Sequence, residues 1–278
     1  HLMSINMADK MKVGFIGGGK MAQAVASGFL LSGLVKPENV IASAVTEKTL
    51  NIWKEWGCVT TFSNKQVADS SQMVFVGVKP HLVLQILKEI YKNVNGDHII
   101  VSIANGLTTT TFEQHLPDGT SVIRTLPNMP CAVQAGVTVF CRGKNASDSD
   151  VRALDELLLT TGASTEVKEE YIDIASAISG SGPAYIYVMI SALADGAVKC
   201  GLPRNLAQSL AADMVVGAGK MVTESGKHPD QLKDEICSPG GSTIVAIHEM
   251  EKNSFRGTVI SAVEAAVTKS KAAGRDNK

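Results

Sequence analysis

The sequence predicts an α/β protein in which a doubly wound, mostly parallel sheet is followed by an all-helical region. From residue 12 to about residue 167, short apolar segments typical of strands alternate with segments of helical periodicity. Such alternation indicates parallel strands joined by right-handed helical crossovers. After residue 167 the strand signals end, and only helical patterns follow.

Composition is that of an ordinary globular protein. The 278 residues are 45% hydrophobic and 19% charged, and the formal net charge is -1. This charge balance provides no basic field for nucleic acid or for an anionic membrane. The five cysteines are scattered without a Cys-x-x-Cys pair, and the histidines show no metal-ligand spacing. We therefore expect neither disulfides nor a metal site, and a reducing compartment.

Three segments are expected along the chain. Residues 1–11 form a leader in which His1 and Leu2 are consistent with a cloning remnant. Residues 12–167 form the sheet domain, and residues 168–278 the helical domain. The leader lacks the character of a signal or transit peptide, and no uncharged apolar run reaches the roughly 20 residues of a membrane span. We expect a cytoplasmic protein, with a mitochondrial location as the alternative.

Seven strands are predicted from short apolar runs. They span 12–16, 39–43, 58–61, 73–77, 98–103, 121–125 and 136–141. Helical periodicity is clearest at 22–31 and 81–94, between successive strands. Ligands of such sheets bind beyond the carboxyl ends of the strands, so those ends are where site residues are expected.

A glycine cluster follows the first strand. The spacing Gly17, Gly19, Ala22 fits the dinucleotide-binding fingerprint, with alanine in place of the third glycine. The free N–H groups at the start of the next helix would hold the phosphates. A purely structural turn is the alternative, because glycines between a strand and a helix need no ligand.

The end of the second strand bears on the choice of cofactor. No acidic residue is present there to bind a ribose 2′-hydroxyl, whereas Ser43, Thr46 and Lys48 offer contacts to a 2′-phosphate. We therefore expect NADPH, with NADH as the alternative. Ser43 and Thr46 would also be explained by ending a strand and capping a helix.

The helical region predicts self-association. Helical patterns run over about 171–199, 204–223, 231–236, 243–252 and 255–271. Two of these helices are apolar on most sides, and such helices must be covered on most sides. We expect a homo-oligomer in which a second copy covers them, with a compact monomeric bundle as the alternative.

Two glycine-rich breaks each precede a helix. They are residues 179–185 (SGSGPAY) and 238–243 (SPGGST). Each places small residues at a helix N-terminus, which can bind an anion. As a plain helix cap, Ser242 or Thr243 would need no ligand.

The chain resembles the pyrroline-5-carboxylate reductase family over nearly all of residues 12–274. The motifs are residues 14–22 (GFIGGGKMA), 78–80 (VKP), 179–185, and 231–234 (QLKD) followed by 238–244 (SPGGSTI). The last combination is the most specific. The sequence departs at Gly18 and Ser242, where many relatives carry alanine, and these small changes are expected to leave the roles intact.

The resemblance implies a Rossmann-like domain, an all-helical dimerisation domain often assembled into a decamer, NAD(P)H as hydride donor and 1-pyrroline-5-carboxylate as acceptor. By position it places the cofactor beside Ile16, Gly17, Gly18, Gly19, Lys20, Met21, Ser43, Asn64, Gly77, Val78, Lys79, Pro80, Ala104 and Asn105. It places the substrate beside Glu169, Ser181, Gly182, Gly240, Gly241, Ser242 and Thr243.

A mechanism follows from the chemistry of a cyclic imine. If the substrate binds as its iminium ion, no strong protein acid is needed, and catalysis is mostly positioning. The backbone at 240–242 would hold the carboxylate, and the Thr243 hydroxyl would bind the ring nitrogen as the catalytic group. The alternatives are a 3-hydroxyacid dehydrogenase, for which Lys220 is a weak candidate, and a redox sensor that binds NADPH without turnover.

Overall fold

A computed structural model describes residues 11–275, so the predicted leader lies outside the described part except for its last residue. The chain divides into two units. One comprises residues up to 180 together with those from 267 onward, and the other comprises residues 181–266. The predicted boundary at residue 167 falls between the last strand and the helix that follows it.

An eight-stranded sheet forms the centre of the first unit. Its strands are β1 (Val13–Ile16), β2 (Val40–Ser43), β3 (Val59–Thr61), β4 (Met73–Val76), β5 (Ile99–Ser102), β6 (Ser121–Leu126), β7 (Gly136–Arg142) and β8 (Gly162–Glu166), in the order β3-β2-β1-β4-β5-β6-β7-β8. The seven predicted strands lie within one residue of their observed bounds. This is the order of a doubly wound sheet, in which the strand order reverses between β1 and β4.

One antiparallel pair and one additional strand complete the sheet. β7 pairs antiparallel with β6, because the connection between them contains only a 3₁₀ turn (Met129–Val133) and no crossover helix. β8, parallel to β7, was missed by the sequence prediction. Its residues GASTE are mostly polar and half-exposed, as expected of an edge strand, so no apolar run marks it.

Twelve α-helices lie within the described residues. They are α1 (Lys20–Leu31), α2 (Glu47–Glu55), α3 (Asn64–Asp69), α4 (Pro80–Ile90), α5 (Thr109–Glu113), α6 (Asp148–Leu159), α7 (Glu169–Ala175), α8 (Gly182–Lys199), α9 (Arg204–Ser225), α10 (Pro229–Ile236), α11 (Ser242–Lys252) and α12 (Phe255–Arg275). The helical pattern predicted over 171–199 is interrupted by a π-helical turn (Ser176–Gly180).

Apolar residues of the strands alternate between the two faces of the sheet. Phe15 and Phe75 point into one buried cluster, where their rings stack at 4.8 Å, and Phe29 of α1 packs on them at 6.3 and 5.7 Å. Ile16 and Val76 belong to the cluster on the opposite face. Because both faces are covered, the central strands are buried along their whole length, which fixes their register.

The helices of the second unit leave many apolar side chains exposed in the single chain. Val188 is 71% exposed, Val216 60% and Ile260 59%. By length and composition alone, the stretch Glu169–Lys199 is also apolar enough to cross a membrane. One such stretch is weak evidence for a membrane span, because a helix covered by a second protein chain has the same composition.

Candidate active site

The carboxyl ends of four strands lie level with one another. Ile16 ends β1 and pairs in register with Ser43 of β2 and Val76 of β4, while Val76 pairs with Ser102 of β5. The strand order reverses between the parallel neighbours β1 and β4, which is where doubly wound sheets bind ligands. The segments after these strands are the ones for which the sequence predicts a cofactor.

Gly17 and Gly77 let the ends of β1 and β4 approach closely. Gly17 has a φ of +89°, and a Cβ there would lie 2.9 Å from the carbonyl carbon and oxygen of Gly77. The Gly77 N–H donates to the Ile16 carbonyl oxygen at 2.8 Å. A larger residue at position 17 would therefore be strained and would collide with backbone.

The glycine loop leaves the N-terminus of α1 open. The N–H groups of Gly17 and Gly18 donate to the Ser43 carbonyl oxygen at 3.2 and 2.7 Å. Gly19 is exposed and caps α1 without a side chain, no acidic residue lies in the first helical turn, and a Cβ on Gly19 would meet nothing within 4 Å. This helix N-terminus therefore has room for an anion and no internal carboxylate competing for it.

Ser43, at the end of β2, contacts Asn64, which the resemblance also places beside the cofactor. The buried Ser43 hydroxyl donates to Oδ1 of Asn64 at 2.7 Å, and Nδ2 of Asn64 donates to Glu89 at 3.1 Å. Thr46 caps α2, accepting the Thr49 N–H at 3.3 Å. Thr46 therefore has the structural role, a helix cap, that was the alternative to a contact with a 2′-phosphate.

The other predicted cofactor residues follow β1, β4 and β5. Ile16 is buried, Lys20 is exposed at the start of α1, and Met21 and Val78 are partly buried against the two cores. Lys79 is exposed and caps α4, which begins at Pro80. After β5, Ala104 is buried and Asn105 is exposed. The structure places all of these residues at one edge of the sheet.

Glu169 takes part in a polar cluster that sequence reasoning missed. Its carboxylate accepts the backbone N–H and the hydroxyl of Thr109 at 2.8 and 2.9 Å, and lies 3.4 Å from Nη1 of Arg124. Nη2 of Arg124 donates to Asp173 at 2.8 Å. Arg124 is only 4% exposed although it lies in the middle of β6. A charge within an otherwise uncharged, buried strand requires partners, and this single charged residue was the signal available in the sequence.

Asn128 joins the loop after β6 to the π-helical turn. Its Oδ1 accepts the Val137 N–H, and its Nδ2 donates to the Ser179 carbonyl oxygen, both at 2.9 Å. Asn128 is buried. The π-helical turn leads into Ser181 and Gly182, so Asn128 fixes the segment that precedes them. π-helical turns occur often at functional sites.

In the second unit, a glycine turn precedes α11. Gly240 has a φ of +68°, the Gly241 N–H donates to the Ser238 carbonyl oxygen at 3.0 Å, and Gly241 is the N-cap. The alternative interpretation of Ser242 or Thr243 as a plain helix cap is therefore wrong, because both lie in the first turn. Because the cap has no side-chain hydrogen bond and the first turn has no acidic residue, this N-terminus also suits an anion.

The QLKD motif lies on α10, beside an ion pair to α12. Arg256 donates to Asp230 at 3.0 Å, and its guanidinium holds the pKa of that carboxyl below its usual range. Hydrogen bonding to Asp234 raises the pKa of Lys233. The Arg256–Asp230 ion pair joins α10, the helix that precedes the glycine turn, to the start of α12.

Comparison with known proteins identifies the family. Residues 169–273 match the model for pyrroline-5-carboxylate reductase dimerisation, and residues 12–106 match that for NADP oxidoreductase, coenzyme F420-dependent. Pyrroline-5-carboxylate reductase 3 of Xenopus laevis is 44% identical over 273 residues, which cover 98% of this chain and 100% of that protein. The chain belongs to the pyrroline-5-carboxylate reductase family.

Solved structures in the pyrroline-5-carboxylate reductase family have the same fold. The Plasmodium falciparum pyrroline carboxylate reductase with NADP bound is 35% identical, with a TM-score of 0.86 over 96% of this chain and 99% of that one. The Coxiella burnetii enzyme is 30% identical, with a TM-score of 0.87 over 95% and 99%. The predicted fold, a Rossmann-like sheet followed by a helical region, is confirmed.

The family assignment explains the exposed apolar helices. The family model that covers residues 169–273 is a dimerisation model, and the exposed side chains of α8 and α9 lie within it. This match supports homo-oligomerisation of the chain. Within residues 11–275, no three His, Cys, Asp or Glu side chains lie close enough together to hold a metal ion.

An open groove of about 930 Å³ is lined by none of the predicted site residues. It includes Lys65, Lys88 and His115 and runs along the outer side of α3 and α4. It holds none of the glycine turns or helix N-termini described above.

Proposed function

We propose that this protein reduces 1-pyrroline-5-carboxylate to L-proline with NADPH as the hydride donor. The observation that carries the proposal is the 44% identity to pyrroline-5-carboxylate reductase 3 over 98% of the chain. Oxidoreductase activity with a nicotinamide cofactor is supported independently by the family match over residues 12–106. The proposed role is the reaction that produces proline.

The first unit has the features that a nicotinamide dinucleotide requires. The N-terminus of α1 is free of side-chain caps and acidic residues, and the space beside Gly19 is open. The backbone N–H groups of Gly19 and Lys20 would hold the pyrophosphate, because those of Gly17 and Gly18 already donate to the Ser43 carbonyl oxygen. Lys48, exposed in the first turn of α2, supports a 2′-phosphate, as does the absence of an acidic residue at the end of β2.

The second unit supports recognition of a small carboxylate and an imine nitrogen. The turn at Gly240 and Gly241 presents backbone N–H groups at the start of α11 for the carboxylate, and Ser242 adds a hydroxyl. The Thr243 hydroxyl accepts the N–H of the protonated imine and orients the ring. When bound, NADPH supplies the hydride, which adds to the carbon of the C=N bond and leaves a secondary amine.

Positioning is the main contribution of the chain to this reaction. A protonated imine is already electrophilic, so no protein acid has to deliver a proton in the same step. Holding two reactants in the correct geometry can lower the barrier by about 7–11 kcal/mol. Thr243 acts at the reacting nitrogen, whereas the glycine turn acts at the carboxylate.

The experiment follows the oxidation of NADPH by its absorbance after addition of 1-pyrroline-5-carboxylate, and repeats the measurement with NADH. Thr243→Ala should lower kcat by about 10–100-fold, because it removes a hydrogen bond to a charged group. Its Kd for NADPH should not change. Thr243→Ser keeps the hydroxyl and should restore most of the rate. No oxidation with the wild-type protein would refute the proposed function.

Assembly beyond the dimer is a separate part of the proposal. We expect a decamer of five dimers, as the family resemblance implies. Light scattering coupled to size-exclusion chromatography should give a mass about ten times that of the chain. A dimer mass at all concentrations would refute the decamer while leaving the catalytic proposal intact.

A further inference from the structure

A buried indole contacts the carbonyl group at the centre of the glycine loop. Trp53 in α2 is fully buried, and its Nε1–H donates to the Gly18 carbonyl oxygen at 3.0 Å. Nε2 of Gln23 donates to the same oxygen at 2.8 Å. A buried indole N–H requires an acceptor, and in this chain that acceptor belongs to the predicted phosphate-binding loop.

These two donors fix the direction of an N–H group. The Gly18 carbonyl and the Gly19 N–H belong to one planar peptide group, and in a trans peptide they point in opposite directions. The carbonyl points inward to Trp53, while Gly19 is exposed. The Gly19 N–H therefore points outward at the start of α1, and a peptide held at its oxygen cannot rotate that N–H away from a ligand.

Gly18 and Trp53 are matched in shape. A Cβ at position 18 would lie 2.6 Å from Nε1 and 3.1 Å from Cε2 of Trp53. The indole cannot easily retreat, because its ring packs against Phe15 at 5.1 Å and Trp56 at 5.5 Å. Trp53 therefore requires glycine at position 18 in this chain.

We propose that Trp53 is a positioning residue for the cofactor: its N–H holds the Gly18–Gly19 peptide so that the Gly19 N–H faces the pyrophosphate. This inference rests on the proposed function, because it assumes a nicotinamide dinucleotide at the loop. NADH and NADPH have the same pyrophosphate, so Trp53 affects the binding of both equally. A residue that recognises the 2′-phosphate would instead change the ratio of the two affinities.

The first test replaces the indole and measures dinucleotide binding directly. Trp53→Phe should raise the Kd of NADPH by about 5-fold, the usual effect of losing one neutral hydrogen bond, and the Kd of NADH by the same factor. The KM for the dinucleotide should rise with them, while kcat at saturation stays the same. Trp56→Phe removes the neighbouring indole but keeps the bond to Gly18, and should leave both Kd values unchanged.

The second test uses the steric match. Gly18→Ala alone should weaken NADPH binding, because the new methyl group displaces the loop from Trp53. In the double variant Gly18→Ala with Trp53→Phe, the methyl group gains space, so the loss should be smaller than the sum of the two single losses. A merely structural role for Trp53 would lower the stability of the protein without this coupling in the Kd values.

A third variant keeps the shape of the ring in case Trp53→Phe fails to fold. In the Trp56→Phe background, tryptophan can be replaced biosynthetically by benzothienylalanine, in which sulfur takes the place of the indole N–H. This substitution should raise both Kd values as Trp53→Phe does.

The outcomes separate the two proposals. If the wild-type protein does not bind NADPH, the proposed function fails. If the wild-type protein binds NADPH and either substitution at Trp53 leaves both Kd values unchanged, the positioning role is refuted. Additive losses in the double variant, or a change in the NADPH to NADH ratio, would also refute it.

Discussion

The buried arginine of β6 offers the sharpest test of how this fold is stabilised. The Arg124 side chain is 5% exposed and lies between Glu169 and Asp173, whose side chains are 31% and 33% exposed. Arg124→Met keeps much of the apolar volume but removes the positive charge. The two carboxylates then lose the cation between them, and α7 loses its ion pairs to β6, although Glu169 still accepts the N–H and the hydroxyl of Thr109.

The expected loss of unfolding free energy in Arg124→Met follows from the burial of the ion pair. Removing one partner of a buried ion pair typically costs about 3–5 kcal/mol, and we expect about 3 kcal/mol because the carboxylates keep partial contact with water. With an m-value of about 3 kcal/mol/M, the urea midpoint should fall by about 1 M. Trp53 and Trp56 both lie in the same unit as Arg124, so tryptophan fluorescence reports its unfolding. Protein concentration must be held constant, because the dimerisation family match supports homo-oligomerisation and the stability of an oligomer depends on concentration.

Arg142 provides a matched control. It also pairs with two carboxylates, Glu166 and Asp148, each at 2.6 Å, but its side chain is 36% exposed. Surface ion pairs contribute little to stability, so Arg142→Met should shift the midpoint far less than Arg124→Met. Equal shifts in the two variants, or no shift in Arg124→Met, would refute the argument that burial sets the cost.

Three further predictions concern other parts of the first unit. Gly162→Ala should lower the urea midpoint and detach β8 from the sheet, because φ is +140° and the new Cβ would lie 2.1 Å from the Gly136 carbonyl oxygen. Faster hydrogen exchange of the β8 amides would show the detachment, and unchanged exchange would contradict it. Asn128→Asp keeps the acceptor for Val137 but loses the donor to Ser179, so the KM for the imine should rise about 10-fold with the Kd of NADPH unchanged. Burial raises the pKa of Cys58 to about 11 and of Cys141 to about 12, so both thiols should resist alkylation at pH 8 in the native state, as mass spectrometry would show. Thiols in the unfolded chain ionise at about pH 8.5, so above that pH the unfolded chain binds fewer protons than the folded chain. The free energy of unfolding should therefore fall as the pH rises towards 11.

Strongly apolar elements were predictable from the sequence, and weakly apolar ones were not. The central strands are continuous apolar runs because both of their faces are buried, so β1 and β4 were placed within one residue. β8 lies at the edge with polar side chains, and its strand conformation comes from pairing with β7. The antiparallel direction of β7 likewise depends on a connection that contains no helix.

Among the site residues, the glycine loop was predictable and its supports were not. Gly17 and Gly19 follow a strand and precede a helix, which is a local pattern. Arg124 and Trp53 act through partners that are distant in sequence: Arg124 pairs with residues 45 and 49 positions away, and Trp53 bonds to Gly18 across 35 positions. No local periodicity contains such contacts.

The sequence by itself determined the order of strands and helices, the glycine turns and the family, because these follow from local spacing and from similarity along the chain. Only the tertiary structure decided that Gly241 rather than Ser242 caps α11, that the Ser43 hydroxyl is bonded to Asn64, and that Gly18 must remain small beside Trp53. The physical reason is that hydrogen-bond partners and steric limits depend on which distant segments are packed together, and folding sets that packing.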